Sequence, residues 1–275
     1  TKDIFYPNKG QPLEIGQYFY QPELANSLKL IAKQGSKGFY QGAIASKIAS
    51  AVQEAGGVMT VTDLANYQAK IRHPIIGTYR GYEVISMPPP SSGGTHLVQI
   101  LNTLENYPIE QWGHNSADSI HVMAEAMKRA YADRSEYLGD DDYISVPIKA
   151  LTNKAYANSI AQQIDMKRAT ASELINPGQL APYESPQTTH FSVVDKWGNA
   201  VANTYTLNFS YGSGLVASGT GILMNNEMDD FSSKPGVPNG YGLLGGTANA
   251  IEPKKLAHKP NRTRRQKGTG NTGRL

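Results

Sequence analysis

Gln187-Thr188-Thr189-His190-Phe191-Ser192-Val193-Val194-Asp195 is the stretch on which the reading of the 275-residue chain turns. Ahead of it, apolar residues recur with a helical period; after it they alternate with a period of two. Two threonines open the alternating run. Threonine suits a pleated backbone, so a strand start alone accounts for them. A second reading is chemical. A hydroxyl at a strand edge becomes a nucleophile once the chain is cut just before it, because the freed α-amine then serves as its base. The bond to break is Gln187–Thr188. The preceding loop, Pro182 to Gln187, holds two prolines and no apolar pattern, as a cleavable connector would.

Downstream, Phe191, Val193 and Asp195 alternate with Ser192 and Val194, and Lys196-Trp197-Gly198-Asn199 reads as a hairpin turn. The return strand carries Val201, Asn203, Tyr205 and Leu207 on one alternation and Ala202, Thr204 and Thr206 on the other. Gly221 to Asn225 reads as a third strand, with Asn226-Glu227-Met228-Asp229-Asp230-Phe231 at its end. Thr204, Thr206 and Asn208 offer hydroxyl and amide groups to a neighbouring nucleophile. Glu227 and Asp230 are of the type that holds a substrate ammonium group, or are solvated loop acids.

Upstream, a helix is expected after Pro22 with Leu24, Leu28, Ile31 and Ala32 on its inner face and Gly35 as its cap. Another is expected from about Gly42 to Ala55, with Ile44, Ile48, Ala51 and Val52 inward. Thr62 is a candidate N-cap. Strand patterning runs from Ile76 to Met87, and Pro88-Pro89-Pro90-Ser91-Ser92-Gly93-Gly94 then breaks regular structure. The glycine turn lacks the Lys-Ser/Thr of a P-loop and the spaced glycines of a dinucleotide fingerprint, so it reads as a rigid connection rather than a phosphate site. Helices follow from Thr95, with Leu97, Ile100, Leu101 and Leu104 inward, and from Ser116 to Leu138, with Ile120, Met123, Ala124, Met127 and Ala130 inward. A further helix spans about Asn153 to Ile164, and Thr170-Ala171-Ser172-Glu173 is a capping-box pattern. His121 and Glu125, four apart, are of metal-ligating type but lack the HExxH pattern, so a surface or packing pair is expected. Asp140-Asp141-Asp142 lacks the rest of a calcium loop, so a solvated turn is expected. A helical part followed by an antiparallel part is an α+β chain.

Composition excludes several classes. With no cysteine there is no disulfide, thiolate nucleophile or thiolate-bound metal. No apolar run is long enough for a transmembrane helix. The net charge of +3 is modest, and much of the excess falls in His258 to Arg274, so nothing global argues for nucleic acid. The first residues, Thr1-Lys2-Asp3-Ile4, do not read as a signal peptide.

Taken together, Thr188 to Asp195, Thr204-Tyr205-Thr206-Leu207-Asn208 and Asn225 to Phe231 resemble γ-glutamyltranspeptidases of the bacterial type. So do Met87 to Gly94 and Tyr131-Ala132-Asp133-Arg134-Ser135-Glu136-Tyr137-Leu138. The resemblance runs from near residue 1 to about Lys255. It implies an N-terminal-nucleophile hydrolase with a four-layer αββα sandwich, incomplete in this chain. Residues 1–187 would be the C-terminal part of the large subunit and 188–255 the N-terminal part of the small one. The precursor would cut itself at Gln187–Thr188 into a large/small heterodimer. Thr188 would take a γ-glutamyl group from glutathione or a related amide and pass it to an amino acid, peptide or water. By match, Thr206 supports the nucleophile. Asn208, Glu227 and Asp230 hold the glutamyl α-amino and carboxylate end, and Tyr241 is the aromatic of a lid loop. No metal or organic cofactor is implied, and the location implied is periplasmic or secreted.

The sequence departs from the family after Lys255. The family continues through a Ser-Ser pair that holds the substrate carboxylate and a Gly-Gly pair that forms the oxyanion hole; an arginine that grips that carboxylate lies before residue 1. Residues 256–275 are instead polar, basic and without pattern, and disorder is expected there. The expectation is a truncated chain with a foreign tail, impaired or inactive on its own, since losing one oxyanion donor costs about 10²–10³ in rate. Exposed sheet edges should also make it poorly soluble or dependent on a complementing fragment. The alternatives are a non-catalytic remnant or uncleaved precursor, and a cephalosporin-type acylase, against which the acids Glu227 and Asp230 speak.

Overall fold

The computed structural model describes residues 2–8, 10–175, 189–232, 234 and 236–242. In chain order these form α1 (Lys2–Phe5), α2 (Pro22–Gln34), α3 (Ser36–Tyr40), α4 (Gly42–Glu54), α5 (Val61–Ala65), β1 (Ile75–Tyr79) and β2 (Tyr82–Ser86). There follow α6 (Gly93–Leu104), α7 (Ile109–Trp112), α8 (Ala117–Tyr137), α9 (Ile148–Leu151), α10 (Lys154–Ala161), β3 (Thr189–Val194), β4 (Ala200–Tyr205), β5 (Val216–Ala217) and β6 (Ile222–Leu223). Short 3₁₀ turns occupy Ser172–Leu174 and Glu227–Asp230. The chain forms two compact units, Thr1–Lys70 with Ser185–Met228, and Ile71–Glu184 with Asp229–Leu275.

In the first unit, α2 starts with Pro22, whose missing N–H costs nothing at a helix start. It ends where Gly35, at φ +61°, donates its N–H to Ile31 O at 2.7 Å. The inner face differs from the expected one. Ser27 is buried and its Oγ donates to Thr220 O at 2.7 Å, which turns the helix so that Leu28 is 55 % exposed. On α4 the expectation holds for Ile44, Ile48 and Ala51, which join Ala45, Ala49, Leu64 and Ala217 in one core. The N-cap of α5 is Thr60, not Thr62. Its Oγ1 accepts from Asp63 N, while the Asp63 carboxylate accepts from Thr60 N, a reciprocal capping box.

β3 and β4 pair antiparallel, Thr189 opposite Tyr205 and Val194 opposite Ala200. The Asp195 carboxylate closes their turn by accepting from Trp197 N and Asn199 N, both at 2.9 Å. The expected hairpin is therefore present. Every residue of β3 is exposed, so its alternation does not mark a buried face among the described residues. The expected third strand shrinks to β6, which pairs with β5 and not with the hairpin.

In the second unit, the patterning read across 76–87 is a hairpin rather than one strand: Arg80 (φ +49°) and Gly81 (φ +87°) turn the chain. Arg80 tolerates that backbone because its N–H donates to Glu105 Oε1 at 2.7 Å and its guanidinium to Glu110 Oε1 at 2.6 Å. On α6 and α8 the expected apolar stripes are inward only in part: Leu104 and Ala130 are buried and Ile100 packs against Leu104's cluster, while other members face outward. Leu97, Ile120 and Met123 are 41, 50 and 36 % exposed, while Thr95, His96, Gln99, Asn102, Glu125, Arg129 and Asp133 are buried. Gln99, Asp133, Glu125 and Arg129 go inside because they meet polar partners there. Gln99 Nε2 and Tyr156 OH both donate to Asp133 Oδ2. Glu125 accepts from Lys128 at 2.5 Å, from Arg129 at 2.7 Å and from Thr170 N at 3.1 Å.

Candidate active site

The predicted cleavage site and nucleophile, Gln187 and Thr188, lie outside the described residues, as does the tail 256–275. The remaining predicted site residues fall in two places, joined by the 3₁₀ turn Glu227–Asp230.

The first place follows β4. Thr206 Oγ1 accepts from the Asn208 N–H at 2.9 Å. That fixes one lone pair of the hydroxyl. Asn208 is 5 % exposed and sits at φ +71°, a left-handed backbone that asparagine tolerates better than most side chains. Its Nδ2 donates to Asn226 O at 3.1 Å, and Asn226 returns the favour by accepting from Phe209 N at 2.9 Å through Oδ1 and donating its own N–H to Leu207 O. Thr206, Asn208 and the residue before Glu227 are thus one hydrogen-bonded knot. Glu227 is placed in turn by Asn225, whose Oδ1 accepts its N–H at 3.0 Å. Asn225 and Asn226 were not assigned roles from sequence; the signal was two amides directly before a candidate binding acid. His190 also escaped that reading. Its ring contacts Thr204 Oγ1 at 2.7 Å and Ser192 Oγ at 3.3 Å, on the hairpin one rung from its open end.

The second place holds Asp230 and Tyr241. Asp230 bears on Arg134: burial lowers the guanidinium's proton affinity, and the Asp230 charge, with the Tyr131 phenol, restores part of it. Arg134 also donates Nε to Ser92 Oγ at 3.3 Å. The proline-glycine stretch and the end of α8, which had no chemical assignment, so meet behind a candidate binding acid. Tyr241 is half-buried at the end of a short loop, and its N–H donates to Asn239 Oδ1 at 3.0 Å.

The weaker candidates resolve as packing. Glu125 is 1 % exposed; burial raises its pKa, but hydrogen bonds from Lys128, Arg129 and Thr170 outweigh that and hold it at about 2. His121 instead contacts Asp165 O at 2.8 Å, so the pair does not converge on a metal. The carboxylates of Asp140, Asp141 and Asp142 lie within 4.8 Å of one another. The Arg72 guanidinium already occupies them, at 2.6 Å from Asp141 and 2.9 Å from Asp142. A cavity of about 380 Å³ beside Arg129, Asp133 and Tyr156 contains none of the predicted site residues.

Comparison with known proteins adds the family. A model described as gamma-glutamyltranspeptidase matches residues 1–259. The chain is 61 % identical over 255 residues to a glutathione hydrolase proenzyme of Escherichia coli K12, covering 93 % of this chain and 44 % of that one. It resembles the crystal structure of the Helicobacter pylori gamma-glutamyltranspeptidase with TM-score 0.62 and 46 % identity, over 67 % of this chain and 53 % of that chain. It also resembles a cephalosporin acylase from Bacillus halodurans with TM-score 0.74 and 29 % identity, over 89 % of this chain and 44 % of that chain. The chain thus spans less than half the length of the curated relatives it matches. Its helices and antiparallel hairpins are the corresponding part of an α+β, four-layer αββα hydrolase sandwich, incomplete here. With the motifs, the knot at Thr206 and Asn208 and a family match over nearly its full length, the chain belongs to the γ-glutamyltranspeptidase family.

Proposed function

We propose that the protein carrying this chain transfers or hydrolyses γ-glutamyl groups of glutathione and related amides, with Thr188 as nucleophile after self-cleavage at Gln187–Thr188. Thr188 O attacks the γ-carbonyl; the amine leaves with a proton delivered through the Thr188 α-amine, and an ester remains. Water or an acceptor amine then opens it. The observation that carries this reading is the hairpin register. Its outermost described pair is Thr189 with Tyr205. In this proposal Thr188, which precedes Thr189 in the chain, acts with the Thr206 hydroxyl, which follows Tyr205 and accepts the Asn208 N–H. Asn208, Glu227 and Asp230 are proposed to hold the α-amino and carboxylate end of the donor, and Tyr241 to cover it. The 1–187 and 188–255 division into large and small subunits belongs to the same proposal. The two compact units cut across it, as they can, because a cleavage point need not be a packing boundary. Export to the periplasm rests on family resemblance.

The names of the relatives support the donor class: glutathione hydrolase proenzymes on the sequence side, a gamma-glutamyltranspeptidase among the structures. The acylase similarity supplies the second reading. Full-length protein assayed with γ-glutamyl-p-nitroanilide and with glutaryl-p-nitroanilide separates them. The expected result is activity on the first donor, abolished in Thr188→Ala, and little on the second, which lacks the α-amino group. Preference for the glutaryl compound would establish the acylase reading instead.

A further inference from the structure

We infer that Asp229, beside the proposed binding acid Asp230, is a positioning residue that staples the Tyr241 loop to the substrate-binding turn. The inference rests on the proposed role of Tyr241. The Asp229 carboxylate accepts the Gly240 N–H through both oxygens, at 3.2 and 3.0 Å. The Asp229 backbone carbonyl accepts from Asn239 Nδ2 at 2.9 Å. Asn239 completes the link, since its Oδ1 receives the Tyr241 N–H at 3.0 Å. A turn closed by Gly242 N to Asn239 O at 2.9 Å holds these residues, with Gly242 at φ +75°. Asparagine at the first position and glycine at the fourth suit such a turn, and an asparagine side chain that accepts two residues on stiffens it.

The consequence is a division of labour between adjacent acids. Asp230 is exposed and faces Arg134; Asp229 is half-buried and spends its carboxylate on the backbone of the loop. Among the described residues it is the Asp229 carboxylate that ties the Gly240 N–H to the turn. Without that carboxylate, Tyr241 would sample positions away from the donor.

Hydrogen exchange and donor kinetics on the full-length protein test this together. Asp229→Ala and Asn239→Ala should each speed exchange of the Gly240 and Tyr241 amides about ten-fold or more, with α8 amides unchanged. Both should raise KM for the γ-glutamyl anilide with kcat little changed, matching Tyr241→Ala. Asp229→Asn keeps one acceptor oxygen without the charge and should recover most of the wild-type KM. Unchanged exchange in both variants would overturn the staple. Faster exchange with unchanged KM, where Tyr241→Ala does raise KM, would overturn its positioning role. If Tyr241→Ala itself leaves KM unchanged, the reading of Tyr241 fails, and the proposal with it. Failure of Asp229→Asn to recover KM would assign the effect to charge and likewise reject the staple.

Discussion

His96 is 7 % exposed, its ring stacked obliquely on Tyr131 at 5.1 Å, and its Nε2 has no hydrogen-bond partner among the described residues. Burial, helped by the Arg134 charge, brings its pKa down to about 3. The sign of the pH effect follows. A folded-state pKa below the unfolded value of 6.5 means the unfolded chain binds the proton first, so this contribution to stability is full above pH 6.5 and drains as pH falls toward 3. Glu125 acts in a lower window, between the ordinary carboxylate value of 4.5 and about 2. His96→Gln should therefore flatten the stability profile between pH 6.5 and 4.5 and leave the steep loss below it, as measured by urea unfolding at several pH values. An unchanged slope above pH 4.5 would mean His96 is not the group that titrates. This residue illustrates what the sequence hid. Gln99 and Asn102 lie inside because Asp133 of α8 and the Thr152 carbonyl just past α9 meet them, and the expected stripe of Leu97, Ile100, Leu101 and Leu104 does not mark them as buried. No periodicity within one helix records a partner on another.

At the scale of elements, the helix limits were readable because their determinants are local. Pro22 starts α2, Gly35 ends it, Ser116 caps α8, and Ile44, Ile48 and Ala51 line α4. The β3–β4 hairpin was readable for the same reason, through alternation and the Asp195–Asn199 turn. What local pattern could not show is how closely backbones approach. A Cβ on Gly94 would stand 2.1 Å from Met87 O, so only glycine lets α6 meet the strand end. A Cβ on Gly212 would stand 2.2 Å from Met224 O, and at φ +52° a side chain there would add backbone strain to the clash. Gly212→Ala should lower stability by about 1–3 kcal/mol, the usual cost of forcing atoms into a filled space. Thermal unfolding measures it, and a variant as stable as wild type would contradict the packing. The candidate site was half legible on these grounds. Thr206, Asn208, Glu227, Asp230 and Tyr241 came from resemblance, whereas Asn226, Asn239 and Asp229 act through backbone hydrogen bonds that have no sequence signature.

At the scale of the molecule, two boundaries coexist: the compact units divide near residues 70, 184 and 228, while the chemistry proposed here divides the chain at 187. Both runs of chain on either side of that bond contribute to the first unit, Thr1–Lys70 and Ser185–Met228. Ser27 Oγ to Thr220 O and Lys47 Nζ to Gly219 O cross between them, and Ala217 lies in the α4 core. Cutting the Gln187–Thr188 bond should accordingly leave the two fragments associated. The measurement that tests the central claim most directly is the intact mass of the purified protein under denaturing conditions. Two polypeptides are expected, the second beginning at Thr188, that co-elute under native conditions, and a single uncut chain in Thr188→Ala. A wild-type protein that remains one chain, or is cut at another bond, would contradict it.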